Sequence, residues 1–155
     1  MKINLVVVGK KVPDWIQVGI NHYQKQLPTQ LNFNLIALEA QKRKGKNIPQ
    51  IKELEGELIL KAVKDSHLVI AFDEHGKQHT TKDIAKNLSN WQQSGDTISL
   101  IIGGADGLSD DVKSHANLLW GLSNLTLPHS MARLLVVEQI YRSHSLLTNH
   151  PYHRE

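Results

Sequence analysis

Hydrophobic and polar positions along this chain switch repeatedly between compact β-branched runs and stripes at helical spacing. Ile3 to Val8 is a run of the first kind, the pattern of a strand buried on both faces. Pro13 stands where a first helical position belongs. Ile16, Ile20, Tyr23 and Leu27 follow at helical spacing, on a helix that Pro28 closes. Leu31 to Leu38 reads as a second strand. Beyond a basic stretch, Pro49 opens another helix, with Ile51, Leu54, Leu58 and Ala62 on its inward face. His67 to Phe72 predicts a third strand, and Asp73-Glu74-His75-Gly76 a turn after it. Thr80 and Asp83 have the spacing of a capping box, with Asp in place of Glu, ahead of a helix carrying Ile84, Leu88 and Trp91. Gly95-Asp96 ends that helix, and Thr97 to Ile102 is the fourth strand. Gly103-Gly104-Ala105-Asp106-Gly107 leads into a short helix capped by Ser109, and Trp120 to Leu122 reads as a last short strand. Ser130 caps a long final helix whose inward stripe is Leu134, Val137, Ile140 and Tyr141, and an exposed tail begins at Asn149.

Such alternation of strand and helix defines an α/β class with a mostly parallel sheet and helices on both faces. No repeat, low-complexity stretch or linker interrupts it, and 155 residues fit one domain spanning 1–155. Ligands of these sheets bind beyond the carboxyl ends of the strands, at a switch in strand order. The turn after Phe72 and the glycine turn after Ile102 are the two segments with that character.

Composition narrows the class. Hydrophobic residues make up 40% and charged residues 21%, which excludes a disordered or fibrous chain. With no cysteine there are no disulfides and no thiolate metal sites, as suits a reducing compartment. The apolar run Leu5 to Val8 is too short for a signal-peptide core, and no stretch is long enough to cross a bilayer. A soluble cytoplasmic protein is expected. The net charge of +3 permits nucleic-acid binding without demanding it. Lys42, Arg43, Lys44 and Lys46 crowd one stretch, with Lys10-Lys11 as a second cluster; they are a docking surface for a polyanion or a solvated loop.

Four segments carry candidate chemistry. Gly103, Gly104 and Gly107 leave backbone without side chains, so a ligand can approach closely. Their spacing is neither the dinucleotide fingerprint nor a P-loop, and a tight turn alone also accounts for them. Leu122-Ser123-Asn124-Leu125-Thr126-Leu127-Pro128-His129 mixes apolar and small polar residues, which suits the wall of an adenine pocket or a buried connector. His75 and His79 are four apart, but with a glycine between them and no third ligand, no metal site is expected. The terminal Asn149-His150-Pro151-Tyr152-His153-Arg154-Glu155 gathers stacking, proton-transferring and cationic groups at a chain end, or it is a frayed terminus. Arg133 and Arg142 on the preceding helix could meet phosphates or merely solubilise it.

Taken together, Ile101 to Gly107, Leu125 to His129, Glu138-Gln139-Ile140-Tyr141-Arg142 and Asn149 to Glu155 resemble the SPOUT-class 23S rRNA pseudouridine N3-methyltransferases, of the ribosomal large-subunit methyltransferase H type. The resemblance runs from Lys2 to Glu155. It implies a C-terminal trefoil knot, an exception to ordinary chain connection, and a homodimer. It also implies that Phe72, Gly103, Gly104 and Leu122, Ser123, Asn124, Leu125, Thr126 and Leu127 bind S-adenosylmethionine; Phe72 stands where the family more often has leucine. The implied substrate is a pseudouridine in a 23S rRNA hairpin loop of the assembled 70S ribosome. Its N3 proton must leave around the time of attack, with His129, Tyr152 or His153 assisting, while Arg133, Arg142 and Arg154 hold phosphates. A non-catalytic ribosome-binding factor and an adenine-nucleotide sensor on the same fold are the competing functions.

Overall fold

Five parallel strands form the centre of the computed structural model, which describes residues 1–154. They are β1 (Lys2–Val8), β2 (Phe33–Leu38), β3 (Leu68–Gln78), β4 (Thr97–Ile102) and β5 (Leu118–Gly121), in the spatial order β2-β1-β4-β3-β5. The helices are α1 (Asp14–Gln24), α2 (Ile48–Ala62), α3 (Thr81–Ser94), α4 (Asp110–His115) and α5 (His129–Leu147). Side chains of a strand point alternately to its two faces, and β1 divides accordingly. Ile3, Leu5 and Val7 pack with residues of α1, α3 and α5, including Ile16, Leu88 and Val137. Val6 and Val8 pack on the opposite face with Ile59 and Val63 from the α2 side and Val112 of α4. The α/β class with helices on both faces is thus the observed one.

Local chemistry sets most boundaries. The Thr80–Asp83 capping box is present in both directions, and Gly95 ends α3 at φ 72°. Ser109 caps α4 by accepting from the Val112 N–H. Helix α2 has a capping box of its own, Asn47 with Gln50, so it starts at Ile48 and Pro49 is its second residue.

Several expectations are corrected. Leu31 belongs to a 3-10 turn (Thr29–Leu31) closed by left-handed Asn32, so β2 begins at Phe33. The residues Asp73 to Gly76 are not a turn: β3 continues through them as a bulge, with Phe72 and Lys77 both paired to Trp120. Gly76 lies directly against the Trp120–Gly121 backbone, where a side chain has no room. The last strand ends at Gly121 rather than Leu122. Helix α5 begins at His129 after Pro128, with no side-chain cap, so Ser130 is already inside it. The inward face of α2 is Ile51, Glu55, Gly56 and Ile59 rather than the leucine stripe. Finally, Tyr152 and His153 are half-buried, so the tail is folded back; its last residue, Glu155, lies outside the described residues.

Candidate functional site

The carboxyl ends of β3, β4 and β5 open into a cleft of about 660 Å³. Phe72 enters it as β3 begins to bulge, its ring held edge-on to Trp120 at 6.3 Å. After β4 the chain turns sharply at Gly103–Gly107, where the Gly107 N–H donates to the Gly104 carbonyl at 3.1 Å. Gly107 adopts φ +83°, a conformation that favours glycine. Gly103 has backbone of Gly107 3.0 Å from where a Cβ would sit. The third wall is Leu122 to Leu127, braced by the Leu125 N–H donating to Ser123 Oγ at 2.9 Å. Leu125 is an apolar side chain left 76% exposed on this lip.

The cleft therefore collects Phe72, Gly103, Gly104, Leu122, Ser123, Asn124, Leu125, Thr126 and Leu127, with His129 at its end. It also contains Asp73 and Lys113, which the sequence did not single out. Their ion pair is 3.2 Å long, and Asp73 also accepts the His75 N–H at 3.0 Å. Burial alone would raise the Asp73 pKa, but the His75 N–H and the Lys113 ammonium outweigh it and hold it below the ordinary carboxylate value. An acid in a stretch that reads as a turn gives no sequence signal of this partner, 40 residues away.

A second cleft, of about 540 Å³, lies at the ends of β1 and β2. It shares Gly104, Ala105, Asp106 and His129 with the first. Lys10, Lys11 and Arg43 line it, and Arg43 reaches Asp106 of the glycine turn at 2.8 Å. The basic stretch is thereby tied to the wall between the clefts.

The C-terminal residues gather elsewhere. The Tyr152 hydroxyl lies 3.0 Å from Glu138 and 3.1 Å from the Tyr23 hydroxyl of α1. Arg142 pairs with Glu138 at 2.8 Å and sits 4.7 Å from the centre of the Tyr152 ring. His153 is within 3.4 Å of Arg142 through Nδ1, while its buried Nε2 meets no hydrogen-bond partner among the described residues. Glu138 is nine residues beyond His129, about 14 Å along a helix. Within one chain, Tyr152 and His153 thus stand apart from His129 and the clefts. Burial, then the contacts with Tyr23 and Glu138, push the Tyr152 phenol above its ordinary pKa. Burial opposes the charge on Arg142, but Glu138 outweighs it and raises that pKa.

Of the three arginines expected to hold phosphates, only Arg154 is exposed, and Arg142 is half-buried. Arg133 is 2% exposed. Its guanidinium donates to the carbonyls of Gly9 at 2.9 Å and Val8 at 3.3 Å, so the site expected to face phosphate instead ties α5 to the end of β1. The two histidines of β3 and its end have different neighbours. His79 lies with its ring centre 4.4 Å from that of Trp120, while His75 pairs with Glu74 at 3.3 Å on the surface. Among the described residues no group of three or more His, Cys, Asp or Glu side chains could hold a metal ion, and no helix is long and apolar enough to cross a membrane.

Comparison with known proteins bears on this arrangement. A ribosomal RNA large subunit methyltransferase H from Methylobacillus flagellatus is 45% identical over 156 residues, covering all of both chains. A protein of the same name from Nitrosomonas eutropha is 42% identical over 99% of each. A methylase family protein structure from Haemophilus influenzae shares the fold at a TM-score of 0.60 and 15% identity, over 99% of this chain and 70% of that one. A Legionella pneumophila protein solved with bound cofactor SAM matches at a TM-score of 0.50 and 13% identity, over 93% of this chain and 66% of its own. The family model described as "Predicted SPOUT methyltransferase" matches residues 1–153, and the chain belongs to the SPOUT methyltransferase family.

Proposed function

We propose that this protein transfers a methyl group from S-adenosylmethionine to N3 of a pseudouridine in 23S rRNA of the assembled 70S ribosome. One observation carries the reading: a single cleft gathers Phe72, the glycine turn and Leu122 to Leu127, and His129 joins it to a second cleft whose rim mixes Lys10, Lys11 and Arg43 with Glu39 and Asp106. The name of the full-length relatives, which are 42–45% identical, supports the rRNA substrate. The bound SAM of the Legionella neighbour supports the cofactor.

The cleft fits that cofactor. Its size falls in the range of small-molecule pockets, Gly107 has open space where a Cβ would stand, and the lining mixes leucines with Ser123, Asn124 and Thr126. S-adenosylmethionine supplies a methyl group activated by a sulfonium, so the protein's part is alignment and proton removal. Phe72, Leu122, Leu125 and Leu127 would pack on the cofactor, while Gly103 and Gly104, packed against Leu108 and Val8, would keep the turn beside it tight. His129 stands at the wall shared by the two clefts and takes the N3 proton. The raised pKa of Tyr152 keeps its phenol protonated, which suits orientation of Glu138 and of the substrate rather than proton removal. Arg142 and Arg154 hold phosphates; Arg133 leaves that set because its donors face Val8 and Gly9.

The tail's distance from His129 is explained by a homodimer in which each tail serves the partner's cleft. The exposed Trp15 and Val18, one turn apart on α1, are the apolar surface available for it. One domain, a trefoil knot holding the cofactor walls together and a cytoplasmic location complete the reading. The test supplies labelled S-adenosylmethionine with 70S ribosomes, separate subunits and naked rRNA. Label in 23S rRNA of 70S particles is expected; label only in small-subunit RNA, or in none, sinks the proposal. Calorimetry adds a second check. Failure to bind S-adenosylmethionine points to a non-catalytic ribosome factor, and a preference for ATP to a nucleotide sensor.

A further inference from the structure

We propose that the second cleft receives the target base and that Glu55 accepts the N1–H that pseudouridine has and uridine lacks. The inference rests on the methyltransferase reading above and names its base-recognition residue. Strand order places the cleft where chain direction reverses: β1 leads outward to its neighbour β2, whereas β4 leads the other way, across β3 to β5. The crevice between β1 and β4 is therefore the topological switch point, the place such sheets use for ligands.

Glu55 is the unusual group in it. It is 6% exposed, on a helix whose other deeply buried residues are Ile51, Gly56 and Ile59. Its Oε2 accepts the Gln41 N–H at 3.1 Å. Its Oε1 accepts no hydrogen bond among the described residues and lies 3.1 Å from where a Cβ of Gly104 would be. A carboxylate oxygen in a cleft calls for a donor. On the rim Lys10 pairs with Glu39 at 3.4 Å and Arg43 with Asp106 at 2.8 Å, which leaves Lys11 to attract an anion, whereas the acid within repels one. The combination fits a ligand with phosphate outside and an N–H edge inside, which describes a nucleotide.

Pseudouridine is joined to ribose through carbon, so N1 keeps its hydrogen; uridine uses N1 for the glycosidic bond. N1–H and N3–H flank the same carbonyl. With N3 turned to the shared wall at Gly104 and His129, N1–H is the donor left for Glu55. Gly104 has no side chain to separate the acid from that wall.

The experiment compares kcat/KM on ribosomes carrying pseudouridine or uridine at the target position, for the wild type, Glu55→Ala and Glu55→Gln. Cofactor affinity by calorimetry and thermal melting verify that each variant is intact. The wild type should prefer pseudouridine by about 100-fold or more, as sites built around a buried polar contact do. Glu55→Ala should lose at least about tenfold on pseudouridine, the scale of one charged hydrogen bond, with the uridine rate and cofactor affinity within about threefold of wild type. If the alanine variant melts early, Glu55→Gln decides, because its amide cannot accept both the Gln41 N–H and the base through two oxygens. A parallel fall on both substrates, or a wild type indifferent to N1–H, overturns the role of Glu55. A wild type inactive on both overturns the underlying methyltransferase reading instead.

Discussion

Arg133 carries a positive charge to the place where α5 meets the end of β1, and burial lowers its pKa. Its cost is offset by two backbone carbonyls, while its Nε stays buried with no hydrogen-bond partner among the described residues. Removing a charged donor from buried acceptors costs about 1.5–3 kcal/mol. Arg133→Ala should therefore lower unfolding free energy by about that amount in a denaturant titration, without changing the salt slope of RNA binding. A flatter slope would return Arg133 to the phosphate contacts. Asp73 allows a pH test. Its folded pKa lies below the ordinary value of 3.8, so its stabilising contribution is complete well above that value and disappears as pH falls through the folded pKa. The stability difference between wild type and Asp73→Asn should be flat above about pH 5 and shrink below it. A gap that widens on acidification would contradict the direction of the shift. Neither role was legible beforehand. An arginine on a helix and an aspartate near a glycine are ordinary surface residues until their partners, over 120 and 40 positions away, are placed.

At the scale of elements, the bulge in β3 decides the shape of the first cleft. It lets β3 pair with Trp120 twice while Asp73 to His75 form one rim. Gly76 and Gly121 make the pairing possible by meeting backbone to backbone. Gly76→Ala should cost about 3 kcal/mol, the upper end of ordinary overpacking, read as a lower denaturant midpoint. An unchanged midpoint would mean that β3 and β5 can separate freely. Caps were easier to read. Thr80, Asp83, Gly95 and Ser109 act on their own neighbours, so a local pattern suffices. Glu55 was not legible, because a buried acid is expensive alone and the Gln41 N–H that supports it is 14 positions away.

On the scale of the whole molecule, the separation of Tyr152 from His129 requires a second copy if both serve one reaction. Trp15→Ser combined with Val18→Asp should give a 17.5 kDa species in sedimentation and reduce methyl transfer at least about 100-fold. A dimer that persists would place the interface elsewhere. The sequence by itself determined the α/β class and most strand and helix positions, because periodicity and caps are short-range signals, while the segments that wall the first cleft came from the family resemblance. Only the tertiary structure decided that the tail folds onto Tyr23 and Glu138, that Arg133 is buried, and that a cleft of mixed charge with a buried acid inside adjoins the glycine turn. Those outcomes depend on which distant groups meet when the sheet orders its strands, and no local pattern encodes that meeting. The terminal Tyr152-His153, which reads as part of an exposed end, is the clearest case: its placement is set by α1 and α5.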